Sequence, residues 1–176
     1  DGRIDALRQI KTDEEIEKLA EAEKIGDIAF ERIVDYLREN VKNNITEMDV
    51  ALELEYAMRK NGASGLSFDT IAASGNNSSL PHAVPGNRIL KDGDFLTMDF
   101  GCTYEGYCSD MTRTVYIGNT PSDKQLEIYN TVLKAQLKAL DMVKPGVKCS
   151  EVDACARDII SAAGYGKYFG HGLGHS

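Results

Sequence analysis

Two β-forming segments, residues 95–104 and 107–117, meet at Glu105-Gly106, and no other feature constrains the fold of this chain as tightly. Aromatic and β-branched residues are frequent in both, and a two-residue connection ending in glycine between such runs predicts a hairpin. With Tyr104 facing Tyr107, Gly101 falls opposite Asp110 and Asp99 opposite Thr112. Side chains alternate with period two, so positions 99 and 101 share a face. Asp99 and Asp110 then become diagonal neighbours, with Cβ atoms about 7–8 Å apart or less. Two carboxylates at that range repel unless a cation lies between them, and one or two divalent metal ions meet that need. The run from Phe95 to Gly101 is strongly apolar, and an acid inside it is costly to bury unless paired or metal-bound. The plainer alternatives are a solvated strand aspartate or a pair with Arg113.

Around the hairpin the pattern is helical. Thr12-Asp13-Glu14-Glu15 has the form of a capping box and opens a long helix with apolar residues at Ile16, Leu19, Ile25, Ile28, Ala29, Ile33, Val34 and Leu37. Thr46-Glu47-Met48-Asp49 caps a second helix, roughly 47–60, which stops at Asn61-Gly62. A strand is expected over residues 68–73, a polar loop over 74–79, irregular chain over 81–87 and a turn at Lys91-Asp92-Gly93. Thr120-Pro121-Ser122-Asp123 opens a third helix with proline near its first position, running to about Met142. Ser150-Glu151-Val152-Asp153 caps a fourth, ending at Gly164. The capping tetrapeptide of the second helix thus recurs 104 residues later, as it would in a duplicated α+β half whose second copy is unfinished.

All three histidines lie in glycine- or proline-flanked segments: His82 in Leu80-Pro81-His82-Ala83, His171 and His175 in Gly170-His171-Gly172-Leu173-Gly174-His175. Imidazole is a common metal ligand and a proton carrier near neutral pH, and glycines let backbone approach a site closely. Three glycines between 170 and 174 oppose a helix. In an extended segment, residues 171 and 175 share a face about 13 Å apart, too far for one ion, so the two histidines take different roles. Composition narrows the rest. A net charge of −8 without a basic cluster argues against nucleic acid. No apolar run reaches the roughly 18–20 residues of a membrane span, and Asp1-Gly2-Arg3 begins no signal peptide. Cys102, Cys108, Cys149 and Cys155 form no Cys-x-x-Cys pair and read as reduced thiols of a cytoplasmic protein.

The hairpin from Asp99-Phe100-Gly101 through Gly106-Tyr107 to Asp110 and Thr112-Arg113-Thr114 resembles the first metal-binding hairpin of the Xaa-Pro peptidases, the aminopeptidase P and prolidase branch of the pita-bread metallopeptidases. His171-Gly172-Leu173-Gly174-His175 is similar to the start of that branch's His-Gly-x-x-His signature, and Ser74-Gly75 with Leu80-Pro81-His82-Ala83 to the segment bearing its upstream active-site histidine. The similarity runs from about residue 10 onward. It implies an α+β pita-bread fold, its first half complete and its second truncated, as one catalytic domain over 1–176 divided at 118/119. It implies two divalent metal ions, manganese before cobalt or zinc given oxygen-rich ligation. Asp99 would chelate one ion, Asp110 would bridge both and His175 would bind the other. His171 would line the site near the substrate proline, and His82 would hydrogen-bond substrate or move protons.

The implied activity is release of the N-terminal residue from peptides with proline at the second position, by attack of a metal-bridged hydroxide. The family's two glutamate ligands and a further histidine lie C-terminal to the His-Gly-x-x-His motif, beyond Ser176. The chain therefore reads as a fragment, inactive alone and prone to associate as a homodimer, with both ends looking like cuts. Methionine aminopeptidase is the nearest rival, disfavoured by the His171/His175 pair; creatinase needs no metal; a non-catalytic pita-bread binding module would have lost its ligands.

Overall fold

A computed structural model describes residues 2–174, with side chains from Ala6 onward. The chain divides into two compact units, residues 1–119 and 120–176. The first unit begins with α1 (Gly2–Gln9) and α2 (Asp13–Asn40). The expected capping box closes α2 at its start: Glu15 N–H donates to Thr12 Oγ1 at 3.3 Å and Thr12 N–H to Glu15 Oε2 at 2.7 Å. Its inward face, Ala22, Ile25, Gly26, Ala29, Ile33 and Leu37, follows the 3.6-residue period. A Cβ on Gly26 would sit 3.3 Å from Met111 Cε, so glycine lets the helix lie close against the hairpin. α3 (Glu47–Lys60) starts from the Thr46/Asp49 box and buries Val50, Ala51, Leu54, Ala57 and Met58.

The strands are β1 (Gly65–Leu66), β2 (Ile71–Ser74), β3 (Phe95–Phe100), β4 (Cys102–Tyr104), β5 (Tyr107–Cys108) and β6 (Met111–Tyr116). They form two antiparallel three-stranded sheets, ordered β1-β4-β5 and β2-β3-β6. Glu105 and Gly106 both have positive φ, 47° and 86°, the requirement of a type I′ turn. Tyr104 faces Tyr107 and Asp99 faces Thr112, the expected register. Leu96, Met98 and Phe100 are buried between the sheet and the helices; burying a side chain such as Phe100 contributes about 1.5–3 kcal/mol.

Three local expectations give way. The strand expected over 68–73 is shifted to Ile71–Ser74, because Ser67, just upstream, is bonded instead to the hairpin, its N–H donating to Gly101 O at 3.1 Å. The polar stretch after Ser74 coils into a 3₁₀ turn, Gly75–Ser79, rather than a plain loop. The hairpin is not continuous: pairing stops at Gly101 on one strand and at Ser109-Asp110 on the other, so Gly101 and Asp110 are not a ladder pair.

The second unit holds α4 (Asp123–Met142) and α5 (Cys149–Ala162), packed through Ala135, Ala139, Ala156 and Ile160. Ser122 caps α4 with Gln125 as its box partner, which leaves Pro121 ahead of the cap rather than in the first turn. α5 starts earlier than expected, with Lys148 at the cap position and its N–H donating to Glu151 Oε2 at 3.4 Å. Ser150 is therefore inside the helix. Asp49 completes a capping box whereas Asp153 does not, so the repeated tetrapeptide is not a repeated cap. All four cysteines are free thiols, and burial pushes that of Cys102 up. No helix among the described residues is long and apolar enough to cross a membrane.

Candidate active site

Asp99 lies in β3 between Ile71 of β2 and Thr112 of β6. Along β3 the buried residues are Leu96, Met98 and Phe100, and the half-buried ones Phe95, Thr97 and Asp99. Despite its apolar neighbours in sequence, the acid therefore faces away from the core, on the side of the sheet that also carries Thr97 and Thr112. Thr112 Oγ1 donates to Asp99 Oδ1 at 2.9 Å, which orients the carboxylate. The same alternation that defines the hairpin removes the burial penalty expected from composition.

Asp110 is exposed and sits in the break of the hairpin. Its N–H donates to Glu23 Oε1 of α2 at 3.2 Å instead of to a strand partner. The break has a definite construction. Ser109 N–H still donates to Cys102 O at 2.9 Å, but Cys102 N–H turns to Ser109 Oγ at 3.0 Å, and Ser109 O accepts from Ser67 Oγ at 2.7 Å. Hydroxyls thus replace the ladder bond, and the Ser109 carbonyl passes where a Cβ on Gly101 would stand, 2.0 Å away. Arg113 lies 3.8 Å from Asp27 and over the Phe30 ring. Asp99 and Asp110 supply hard oxygen donors suited to a divalent ion. No group of three His, Cys, Asp or Glu side chains able to hold a metal occurs among the described residues.

His82 is exposed, at the tip of the irregular chain between Ser79 and Leu90. Sequence reasoning missed what holds this segment. Glu47, the first residue of α3, is 1% exposed. Its Oε1 accepts from Ser74 N–H at 2.7 Å, Ser74 Oγ at 2.8 Å and Asn77 Nδ2 at 3.1 Å, and its Oε2 from Gly86 N–H at 3.4 Å. Arg88 donates to Ser74 Oγ and forks onto Asp94 at 2.6 and 3.0 Å. Asp94 loses hydration by burial, yet the Arg88 guanidinium and Lys91 N–H hold its carboxyl below the usual range. The signal available in the sequence was only an acid at the start of a helix, which the helix dipole explains by itself.

In the second unit, residues 169–174 run without regular structure, as the glycines require. Arg157 of α5 holds them, donating to Phe169 O at 2.9 Å and His171 O at 3.1 Å and stacking on the Phe169 ring. Asp153 pairs with Arg157 and also accepts Leu173 N–H at 2.9 Å. His171 is exposed, its Nδ1 2.9 Å from Gly172 O. His175 lies outside the described residues. Arg157 and then Leu173 N–H hold the Asp153 carboxyl below the usual range. A depressed carboxylate stabilises the folded segment above its unfolded pKa of about 3.9 and loses that contribution as pH falls through the lower folded value. Amide exchange at Leu173 should therefore stay slow from neutral pH down to about 4 and accelerate only in stronger acid. In Asp153→Asn it should be fast throughout. Wild-type exchange that accelerates already near neutrality would contradict this.

Three comparisons bear on this arrangement. The profile of metallopeptidase family M24 matches residues 17–176. The chain is 50% identical over 172 residues to YqhT, an uncharacterized peptidase of Bacillus subtilis (strain 168), covering 98% of this chain and 47% of that protein. Among solved structures it is similar to an Xaa-Pro dipeptidase from Bacillus anthracis, with a TM-score of 0.93, 50% identity, and 99% of this chain and 48% of that one covered. It is also similar to a prolidase from Pyrococcus furiosus, with a TM-score of 0.88, 44% identity, and 99% and 50% covered. The chain thus spans about half the length of the relatives it matches. The architecture is the α+β pita-bread fold that the hairpin motif implied.

Proposed function

The chain belongs to metallopeptidase family M24, and on that premise we propose that the full-length protein hydrolyses the bond between an N-terminal residue and a following proline. The observation that carries this reading is the match, at 50% identity and across 99% of the chain, to an Xaa-Pro dipeptidase. The hairpin supports it with two oxygen donors, Asp99 in β3 and Asp110 in the constructed break. In this reading Asp99 and Asp110 would be metal ligands, Asp110 to both ions, and His175 would be a third. Two divalent ions, manganese by the hardness of the donors, would acidify a water and polarise the scissile carbonyl when bound. Thr112 fixes the rotamer of Asp99, and Glu23 fixes the backbone from which Asp110 projects. Arg157 holds the His171 carbonyl, and in this reading the His171 ring would line the site near the substrate proline. His82 hydrogen-bonds substrate or delivers the proton that the departing proline nitrogen needs.

The test uses the full-length protein, stripped with chelator and reloaded with Mn²⁺, Co²⁺ or Zn²⁺. An Xaa-Pro dipeptide, a longer Xaa-Pro peptide and a Met-initiated peptide without proline are compared. Hydrolysis is expected only of the proline substrates and only after reloading. His82→Ala should lower turnover by roughly 10²–10⁴-fold, the usual weight of a general acid or base, with metal content unchanged. Preferred cleavage after methionine would assign the methionine aminopeptidase type instead. Binding of peptides without turnover of any would leave a recognition module.

A further inference from the structure

We propose that Glu47 is a positioning residue that clamps both ends of the segment bearing His82 and thereby sets where that imidazole stands. The role assigned to His82 rests on the function proposed above; the clamp is independent of it. Glu47 is a buried carboxylate whose direct partners are all donors. Ser74 and Asn77 reach it from the start of the segment, and Gly86 N–H reaches it from the end. His82 lies between them. The same helix turn bonds the segment in the opposite sense, with Glu47 N–H donating to Arg88 O at 3.0 Å and Met48 N–H to Gly86 O at 3.1 Å. One turn of α3 thus accepts from the segment through a side chain and donates to it through the otherwise unpaired N–H groups of a helix start.

A carboxylate is the group this environment demands. Its two oxygens meet backbone N–H, hydroxyl and amide donors, and glutamine would turn an NH₂ group toward one of them. A buried donor facing a donor is costly. The bonds inside the segment are short-range ones, such as Ser78 Oγ to Gly75 O and Leu80 N–H to Asn77 O. They shape the turn but do not tie it to the sheet. The Arg88–Asp94 fork supports the clamp from behind through Ser74. Gly75, with φ of +55°, makes room for it, since a Cβ there would lie 2.4 Å from Arg88 Nη2.

The experiment compares wild type, Glu47→Gln, His82→Ala and the double variant in the full-length protein. It reads amide exchange over residues 75–88, metal content, and kcat and KM on an Xaa-Pro dipeptide. Glu47→Gln is expected to speed exchange in the segment at least tenfold while α2 amides keep their protection. It should lower kcat at least tenfold with a smaller change in KM and full metal content. The double variant should be no slower than His82→Ala, because the loss runs through the same imidazole. A double variant slower by the full Glu47→Gln factor would overturn the link to His82. Unchanged exchange in Glu47→Gln would overturn the clamp, and this readout holds even if the protein proves inactive on Xaa-Pro substrates. Should Glu47→Gln fail to fold, Asn77→Ala removes one arm from the loop side without touching α3. It should speed exchange over the same residues, and unchanged exchange there would count equally against the clamp.

Discussion

Asp110→Ala is expected to abolish Xaa-Pro hydrolysis by the full-length protein and to strip its metal, while leaving the fold almost untouched. The Asp110 side chain is exposed and lies outside every strand. Asp110 donates its backbone N–H to Glu23 Oε1, and alanine keeps that donor. Stability should therefore fall far less than activity, since the side chain is exposed and the backbone donor is retained. Activity should fall by roughly 10³-fold or more, because metal assistance is worth several kcal/mol and each 1.36 kcal/mol is tenfold. If Asp110 serves both ions as proposed, its loss removes a ligand from each, so measured metal should drop for both. Inductively coupled plasma analysis beside kcat and a melting curve separates these effects. Near-normal metal and turnover in Asp110→Ala would remove the hairpin from the site.

What the sequence disclosed and what it hid divide along one physical line. Features set by residues close in the chain were legible. The Thr12/Glu15 and Thr46/Asp49 boxes start their helices where the residues said, and the Glu105-Gly106 turn put Asp99 opposite Thr112. Features set by distant partners were not. Of the two hydroxyls that replace the ladder bond, Ser109 Oγ belongs to the hairpin, but Ser67 Oγ comes from outside it, and nothing inside residues 95–117 announces that. Glu47 looked like an ordinary first-turn acid; its donors Ser74, Asn77 and Gly86 lie 27 to 39 positions away. Asp153 looked like a capping residue and is instead half of the clamp on Phe169–Leu173. The Asp99 case differs again. Alternation was readable, and it correctly paired the strands, but the apolar flanks suggested a buried acid when the same alternation turns Asp99 away from the core.

Gly101→Ala should damage the first unit more than any other single methyl group added to a glycine in a strand or a strand break. The reason is steric. A Cβ at this position would stand 2.0 Å from Ser109 O, 2.8 Å from Ser109 C and 2.8 Å from Ser67 Oγ. The nearest obstacle is backbone, fixed on one side by Ser109 N–H on Cys102 O and on the other by Ser67. No rotamer change can clear it, so the crossing strands must part. Overpacking of this kind costs about 1–3 kcal/mol and occasionally more, and the upper end applies where backbone has to move. For a chain of this size that corresponds to a fall in Tm of roughly 6–12 °C. Adding Ser67→Ala removes one contact and leaves the closest, so the double variant should not be rescued. Gly65→Ala, where nothing lies within 4 Å, should shift Tm by no more than about 2 °C. The break also sets the spacing of the proposed ligands, since Gly101 follows Asp99 by two residues and Ser109 directly precedes Asp110. Gly101→Ala in the full-length protein should therefore lose metal at temperatures where circular dichroism still reports a folded chain. A variant with unchanged Tm and full metal would mean that the Ser109 carbonyl can swing aside, and that the break is a soft kink rather than a fixed part of the site.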